Sequence, residues 1–178
     1  MEKKAVLFCS SVKAIDPVYH AVARDVTRAL CEDGWTVVTG GSWRGTMGEI
    51  AEEAFQCGGR HIGVVPRFME RFASDKLTEL VWTDTMSERK EKMREGTTLA
   101  IALPGGIGTL DELIETQVLA KLGRYGGRIA ALNTGGFYEP FKALLRHYAD
   151  TGMTTEEDCG LVYFADTAED LKAWIRNG

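Results

Sequence analysis

Strands alternating with helices along the whole 178-residue chain predict an α/β protein. The expected architecture is one Rossmann-like, doubly wound domain: a mostly parallel sheet with helices on both faces. Three observations carry that expectation. Short runs of β-branched and apolar residues recur, too apolar throughout for strands with one wet face. Between them lie segments with the apolar spacing of helices. Glycine-rich turns follow several of the runs, and ligands of doubly wound sheets bind beyond the carboxyl ends of the strands.

Ala5-Val6-Leu7-Phe8-Cys9 reads as the first strand, ending at Ser10-Ser11. Pro17 to Cys31 is an amphipathic helix, with Asp16 as its cap, Pro17 in the first turn and Gly34 closing the exit. The second strand, Trp35 to Thr39, runs into Gly40-Gly41-Ser42-Trp43-Arg44-Gly45-Thr46-Met47-Gly48. A helix follows from Glu49 to Gln56, stopped by Gly58-Gly59. His61 to Val65 is the third strand, closed by Pro66, and Arg67 to Lys76 reads as irregular chain or a short helix. Leu77 to Trp82 is a strand, and Met86 to Glu95 a helix ended by Gly96. The apolar run Thr98 to Leu103 is a fully buried strand, followed by a helix over Leu110 to Ala120. Arg128 to Leu132 and Leu161 to Phe164 are the last strands, with helices over Phe137 to Tyr148 and Thr167 to Ile175. No Pro- or Ser-rich linker and no internal repeat divides the chain, so residues 1–178 read as a single domain.

A formal net charge of −5 argues against a nucleic-acid surface, which needs a basic patch. No apolar run is long enough to span a membrane, and Met1-Glu2-Lys3-Lys4 leads straight into a strand without a signal peptide. Cys9, Cys31, Cys57 and Cys159 lie far apart with no C-x-x-C, and His20, His61 and His147 lack ligand spacing. Free thiols in a reducing, cytoplasmic compartment and no metal are expected.

The stretch Leu103-Pro104-Gly105-Gly106-Ile107-Gly108-Thr109-Leu110-Asp111-Glu112 organises the rest. Strand, glycine turn and helix start together aim free backbone N–H groups and a positive dipole end at one point, where an anion can sit. Three glycines in four residues keep side chains away from those groups. Thr109 adds a hydroxyl; Asp111 and Glu112 add carboxylates one turn into the helix. Thr109-x-x-Glu112 also reads as a capping box, which accounts for those two residues but not for Gly105, Gly106 and Gly108. The dinucleotide pattern G-x-G-x-x-G fails at Asp111, and the P-loop lysine is absent. The signal is for a phosphate-bearing small molecule.

Other strand ends carry small or polar residues: Ser10-Ser11, Gly40-Gly41-Ser42, and Asp84 leading to Met86. In the helix that follows, Met86, Arg89, Lys90 and Met93 are spaced i, i+3, i+4, i+7 and share one face. Two cations interrupt that stripe. Lys90 can extend its amine to solvent, but an arginine in an apolar stripe wants a carboxylate or phosphate.

Met86-x-x-Arg89-Lys90 followed by Pro104-Gly105-Gly106-x-Gly108-Thr109-x-x-Glu112 resembles the signature of the LOG ("Lonely guy") family of cytokinin-activating phosphoribohydrolases. Phe8-Cys9-Ser10-Ser11, Gly40-Gly41 with Gly45-Thr46-Met47-Gly48, and Ile62-Gly63-Val64-Val65-Pro66 fit the family's order. The resemblance implies a nucleotide-binding domain that hydrolyses the N-glycosidic bond of a nucleoside 5′-monophosphate, AMP or an N6-substituted AMP. The products are free base and ribose 5-phosphate, and no cofactor takes part. It places the catalytic pair at Arg89 and Glu112. The expected substrate-binding set is Ser10, Ser11, Gly40, Gly41, Ser42, Met86, Lys90, Pro104, Gly105, Gly106, Ile107, Gly108, Thr109 and Asp111. A homodimer is implied too. Departures from the family pattern are Ser87 for histidine, Asp111 for glutamate, and the filling Ser42-Trp43-Arg44 of the second glycine turn. The lysine decarboxylase label that such proteins often carry would need a Schiff-base lysine, and nothing in the sequence singles one out. A nucleotide or phosphorylated-cofactor carrier is the alternative.

Overall fold

A computed structural model describes residues 3–178; Met1 and Glu2, read above as a lead into the first strand, lie outside the described residues. Seven strands form one sheet: β1 Lys4–Phe8, β2 Thr36–Thr39, β3 His61–Pro66, β4 Glu79–Thr83, β5 Leu99–Ala102, β6 Arg128–Leu132 and β7 Val162–Ala165. Their order is β4-β3-β2-β1-β5-β6-β7, and every pairing is parallel. Parallel strands need crossovers, and seven helices supply them or follow the last strand. These are α1 Pro17–Glu32, α2 Gly45–Gln56, α3 Met86–Arg94, α4 Ile107–Lys121, α5 Glu139–Asp150, α6 Glu156–Cys159 and α7 Ala168–Arg176.

Alternation along β1 divides the core into two layers. Ala5, Leu7 and Cys9 face Ala23, Val26 and Leu30 of α1, Ile50 of α2 and Leu171 of α7. Val6 and Phe8 point the other way, toward Met93 of α3, Leu113 of α4 and Phe141 of α5. The expected doubly wound fold is therefore present, with helices on both faces.

Element boundaries differ from the sequence reading at the glycine turns. α2 begins at Gly45 instead of Glu49, and α4 at Ile107 instead of Leu110. Glycines whose helical propensity is poor are nonetheless taken into both first turns, because the cost there is below what the packed face of the helix returns. Arg67–Phe72 is a 3₁₀ turn, and α6, absent from the sequence reading, is a single turn held by a Thr155–Asp158 capping box.

From β1 the chain winds outward to β4, then α3 returns it to β5 on the other side of β1. The connections leaving β1 and β5 thus diverge, opening a crevice at the carboxyl ends of the central strands. Beneath it, the buried His61 imidazole meets the Thr39 hydroxyl at 2.8 Å, and that hydroxyl accepts the Gly41 N–H at 3.1 Å. The other ring nitrogen, Nδ1, is buried and has no hydrogen-bond partner among the described residues. Burial pulls the pKa of His61 down to about 4. Because the folded value lies below the unfolded one of roughly 6.5, the unfolded chain takes the proton first as pH falls. His61 therefore contributes stability above about pH 6.5 that is lost as pH drops toward 4, on the order of 2–3 kcal/mol. Urea denaturation at pH 7 and pH 4.5 should show this loss in wild type and a smaller one in His61→Gln. Equal pH dependence in the two proteins would remove His61 as its source.

Candidate active site

The crevice is a cavity of about 290 Å³, lined by residues of the β1 and β2 loops, the 3₁₀ turn, the glycine turn before α4, and helices α2, α3 and α4. From the β1 loop come Cys9, Ser10, Ser11 and Val12; from the β2 loop, Gly40, Ser42 and Arg44. Met47 of α2, Met69 and Phe72 of the 3₁₀ turn, and Met86 and Arg89 of α3 form the far wall. Gly106, Gly108, Thr109 and Glu112 close the α4 side.

The glycines of the α4 turn divide into two kinds. A Cβ on Gly105 would lie 2.1 Å from the Thr109 hydroxyl oxygen, so this glycine is required by the turn itself. A Cβ on Gly106 or Gly108 would meet nothing within 4 Å. Packing does not demand glycine at those two positions; they border open space in front of the helix N-terminus. The helix has no side-chain cap, with Gly106 as its N-cap residue. Its first N–H groups are therefore free for a ligand.

The capping box expected at Thr109 and Glu112 does not form. Since α4 starts at Ile107, Thr109 lies inside the first turn, where its buried hydroxyl packs against Gly105. Glu112 accepts instead from Arg89 Nη1 at 3.1 Å. Both residues are buried, with 7% and 6% of their surfaces exposed. Arg89 Nε donates to the Val64 carbonyl of β3 at 3.1 Å. Its Nη2 lies flat against Gly40, where a Cβ would come within 1.7 Å of it. The arginine expected to need an anion is thus held from three sides, by a carbonyl, a carboxylate and a bare glycine.

Glu112 has its pKa raised to about 7, with burial the dominant cause. Arg89 opposes this, by charge and by its hydrogen bond, while Asp111 adds to the rise. Near neutral pH the carboxyl is divided between its two protonation states, which suits acid–base work. Burial, with Glu112 nearby, pushes the Cys9 thiol well above its ordinary range, so it stays protonated and is a poor nucleophile.

Of the residues expected from sequence, the cavity gathers Ser10, Ser11, Gly40, Ser42, Met86, Arg89, Gly106, Gly108, Thr109 and Glu112. Pro104 and Gly105 line an adjoining apolar recess of about 220 Å³ with Val12, Ile15, Tyr19 and Phe137. Gly41 is buried against Gly63 and Val65. Lys90 turns outward and bridges Asp111 at 2.9 Å and Glu115 at 2.9 Å, along the seam between α3 and α4. Ile107 is 88% exposed. Val12, Met47, Met69 and Phe72 line the cavity without having been singled out from sequence. Met47 follows a glycine turn and Met69 and Phe72 lie in the 3₁₀ segment, so neither periodicity marked them. A larger open depression, about 560 Å³, lies at the opposite edge of the sheet beside Trp35 and Arg128. There Arg128 donates to the Trp174 and Ile175 carbonyls at the end of α7, a structural task.

Residues 47–175 match a family profile described as "Possible lysine decarboxylase". The chain is also 34% identical over 151 residues to a cytokinin riboside 5′-monophosphate phosphoribohydrolase of Mycobacterium tuberculosis, covering 84% of this chain and 81% of that one. The chain belongs to the LOG family. The rice relative named LOG, with the same enzyme name, is 33% identical over 95% of this chain and 71% of its own. Among solved structures, the molybdenum cofactor carrier protein of Chlamydomonas reinhardtii superposes with a TM-score of 0.75 at 21% identity, covering 99% and 98% of the two chains. The structure titled TM1055 follows at 0.70 and 20%, covering 99% of each chain. These two establish a shared fold.

For this LOG-family chain, Gly40→Ala should displace Arg89 and loosen its hold on Glu112. The Glu112 carboxyl, followed by infrared or carbon NMR titration, should then titrate above its wild-type midpoint near 7. An unchanged midpoint would show that Gly40 does not seat the guanidinium.

Proposed function

We propose that the protein hydrolyses the N-glycosidic bond of a nucleoside 5′-monophosphate, releasing base and ribose 5-phosphate. The single observation that carries this reading is the buried Arg89–Glu112 pair beside an uncapped helix N-terminus. The amides of α4 and the Thr109 hydroxyl take the 5′-phosphate, and this remote binding places the anomeric carbon by Glu112. As the bond to the base nitrogen breaks, the sugar gains oxocarbenium character, which the Glu112 carboxylate stabilises. The same carboxylate accepts a proton from the water whose oxygen forms the new bond to carbon, the departing base nitrogen takes a proton from solvent, and Glu112 then gives its proton back to solvent. Arg89 orients Glu112 and keeps part of it ionised.

The names of the relatives support this reading over a decarboxylase. A decarboxylase acting through pyridoxal phosphate needs a lysine amine in its pocket. None of the cavity-lining residues is a lysine, and Lys90 is tied to Asp111 and Glu115. A carrier of a phosphorylated cofactor is the second reading, favoured by the same glycine turn, but it leaves the Glu112 carboxylate without a task. We further read residues 1–178 as one nucleotide-binding domain working in the cytoplasm, in keeping with the four free thiols. No described helix is long and apolar enough to cross a membrane. A homodimer belongs to the reading as well. Ile107, Ile114, Val118 and Leu122 leave an exposed apolar stripe along α4, and sedimentation at micromolar concentration should give twice the chain mass.

Incubation with AMP and with isopentenyl-AMP, followed by chromatography of free base, tests the reaction. Release from either supports it; release from no nucleoside monophosphate overturns it. Glu112→Gln and Arg89→Ala should each lower kcat/KM by about 10²–10⁴-fold. Since the ionised carboxyl is the working form, wild-type kcat/KM should rise with pH through about 7. A flat profile from pH 5.5 to 8.5 would remove Glu112 from the proton transfer.

A further inference from the structure

Arg44 is the residue that the reaction above does not use. It lines the cavity, half-buried, at the start of α2, where its side chain makes no cap hydrogen bond. Its guanidinium lies over the Phe72 ring, 5.1 Å from the centroid. Arg71 lies over the same ring at 4.6 Å. Neither arginine has a carboxylate within ion-pair distance among the described residues, whereas Arg67, in the same segment, pairs with Asp84. In a chain of net charge −5, Arg44 at the cavity wall and Arg71 on the exposed side of the same Phe72 ring form a local positive field.

Their place in the fold says which part of a ligand they meet. Arg44 leads into Gly45, whose backbone lies against Ser11 and Val12 of the β1 loop, so Arg44 faces the α4 turn from across that loop. With the 5′-phosphate on the α4 amides and the anomeric carbon at Glu112, the base extends toward Met47, Met69 and Phe72. The two methionines suit the faces of a purine, while the Phe72 ring is taken up by the guanidiniums. An arginine held at the ring's edge suits an anion, because a guanidinium binds carboxylate or phosphate with two parallel hydrogen bonds. An apolar prenyl group gains nothing from it.

Resting on the phosphoribohydrolase reading, we propose that the substrate is a purine nucleoside monophosphate whose base carries an acidic substituent, selected by Arg44 with Arg71. Arg44 binds the substituent directly, and Phe72 holds both guanidiniums in place through cation–π contact.

The test compares kcat/KM for AMP, isopentenyl-AMP, N6-(1,2-dicarboxyethyl)-AMP and adenosine 3′,5′-bisphosphate. The dicarboxyethyl nucleotide should exceed AMP by at least tenfold. Arg44→Met, which keeps an unbranched chain on Phe72, should erase that ratio, Arg71→Met should reduce it, and Arg44→Lys should retain part of it. Equal values for AMP and the dicarboxyethyl nucleotide, or a ratio unmoved by Arg44→Met, would overturn the proposal. A preference for the bisphosphate would overturn it too, by placing the second anion on the sugar. Calorimetric Kd values for the same panel separate this failure from that of the reaction. If no base is released from any nucleotide, the hydrolase reading falls. A tenfold tighter Kd for the dicarboxyethyl nucleotide, lost in Arg44→Met, would still uphold the acidic-group subsite, and equal Kd values would end it.

Discussion

Everything in the cavity depends on one buried ion pair. Removing a guanidinium and a carboxylate from water is costly, and their mutual attraction offsets the cost only when the remaining polar atoms also find partners. Arg89 goes part of the way through the Val64 carbonyl, which accepts from Nε, while its Nη2 packs against the bare backbone of Gly40, so β3, the β2 loop and α4 converge on one side chain. Glu112 is less fully compensated. Among the described residues Arg89 is its one side-chain hydrogen-bond partner, and burial outweighs that partner's charge. An incompletely stabilised carboxylate is what a general base working at neutral pH requires.

The pair is rigid because its helices are. Arg89 and Glu112 project from α3 and α4, whose apolar residues Met93 and Leu113 are buried in the same layer against β1 and β5. Neither helix can rotate without opening that layer. The outward seam between them is locked separately, by Lys90 and Arg94 on Glu115 and Lys90 on Asp111. The cations of these bridges are largely buried and only Asp111 is exposed, and because the bridges share a lysine and a glutamate they hold the two helices in one register. The motif residues thus fall into two sets, one facing the cavity and one facing the helix–helix seam.

The sequence made the architecture legible because the buried strands and most of the longer helices obey a simple period, which the single turn α6 is too short to show. The strand runs of β1, β3, β5 and β6 fell within a residue or two of their observed ends, as did α1 and α3. What it could not show was how glycine turns join helices. Gly45 and Gly108 read as loop by propensity, yet tertiary packing carries them into α2 and α4. That shift also dissolved the expected capping box and freed Glu112 for Arg89. At the cavity, Arg89 could be noticed as a cation in an apolar stripe, whereas Lys90, its neighbour in sequence, proved to face the seam. A helical repeat fixes which residues share a stripe but not how wide the buried arc is. Met69 and Phe72 left no pattern, since a 3₁₀ turn has none of useful length.

The strand order has a consequence for how the protein comes into being on the ribosome. β1 is the first strand made and the centre of the finished sheet, yet one of its two neighbours is β5. Ala5 pairs with Leu99, so the innermost strand keeps one edge bare until more than half the chain has been synthesised. An N-terminal fragment of β1 to β4 would expose that edge and the apolar layer meant for α4, surfaces that invite aggregation. The step that covers them is the arrival of β5 and α4, the same segment that carries the glycine turn and Glu112. In a nascent chain, covering the free edge of β1 and completing the cavity are therefore a single event.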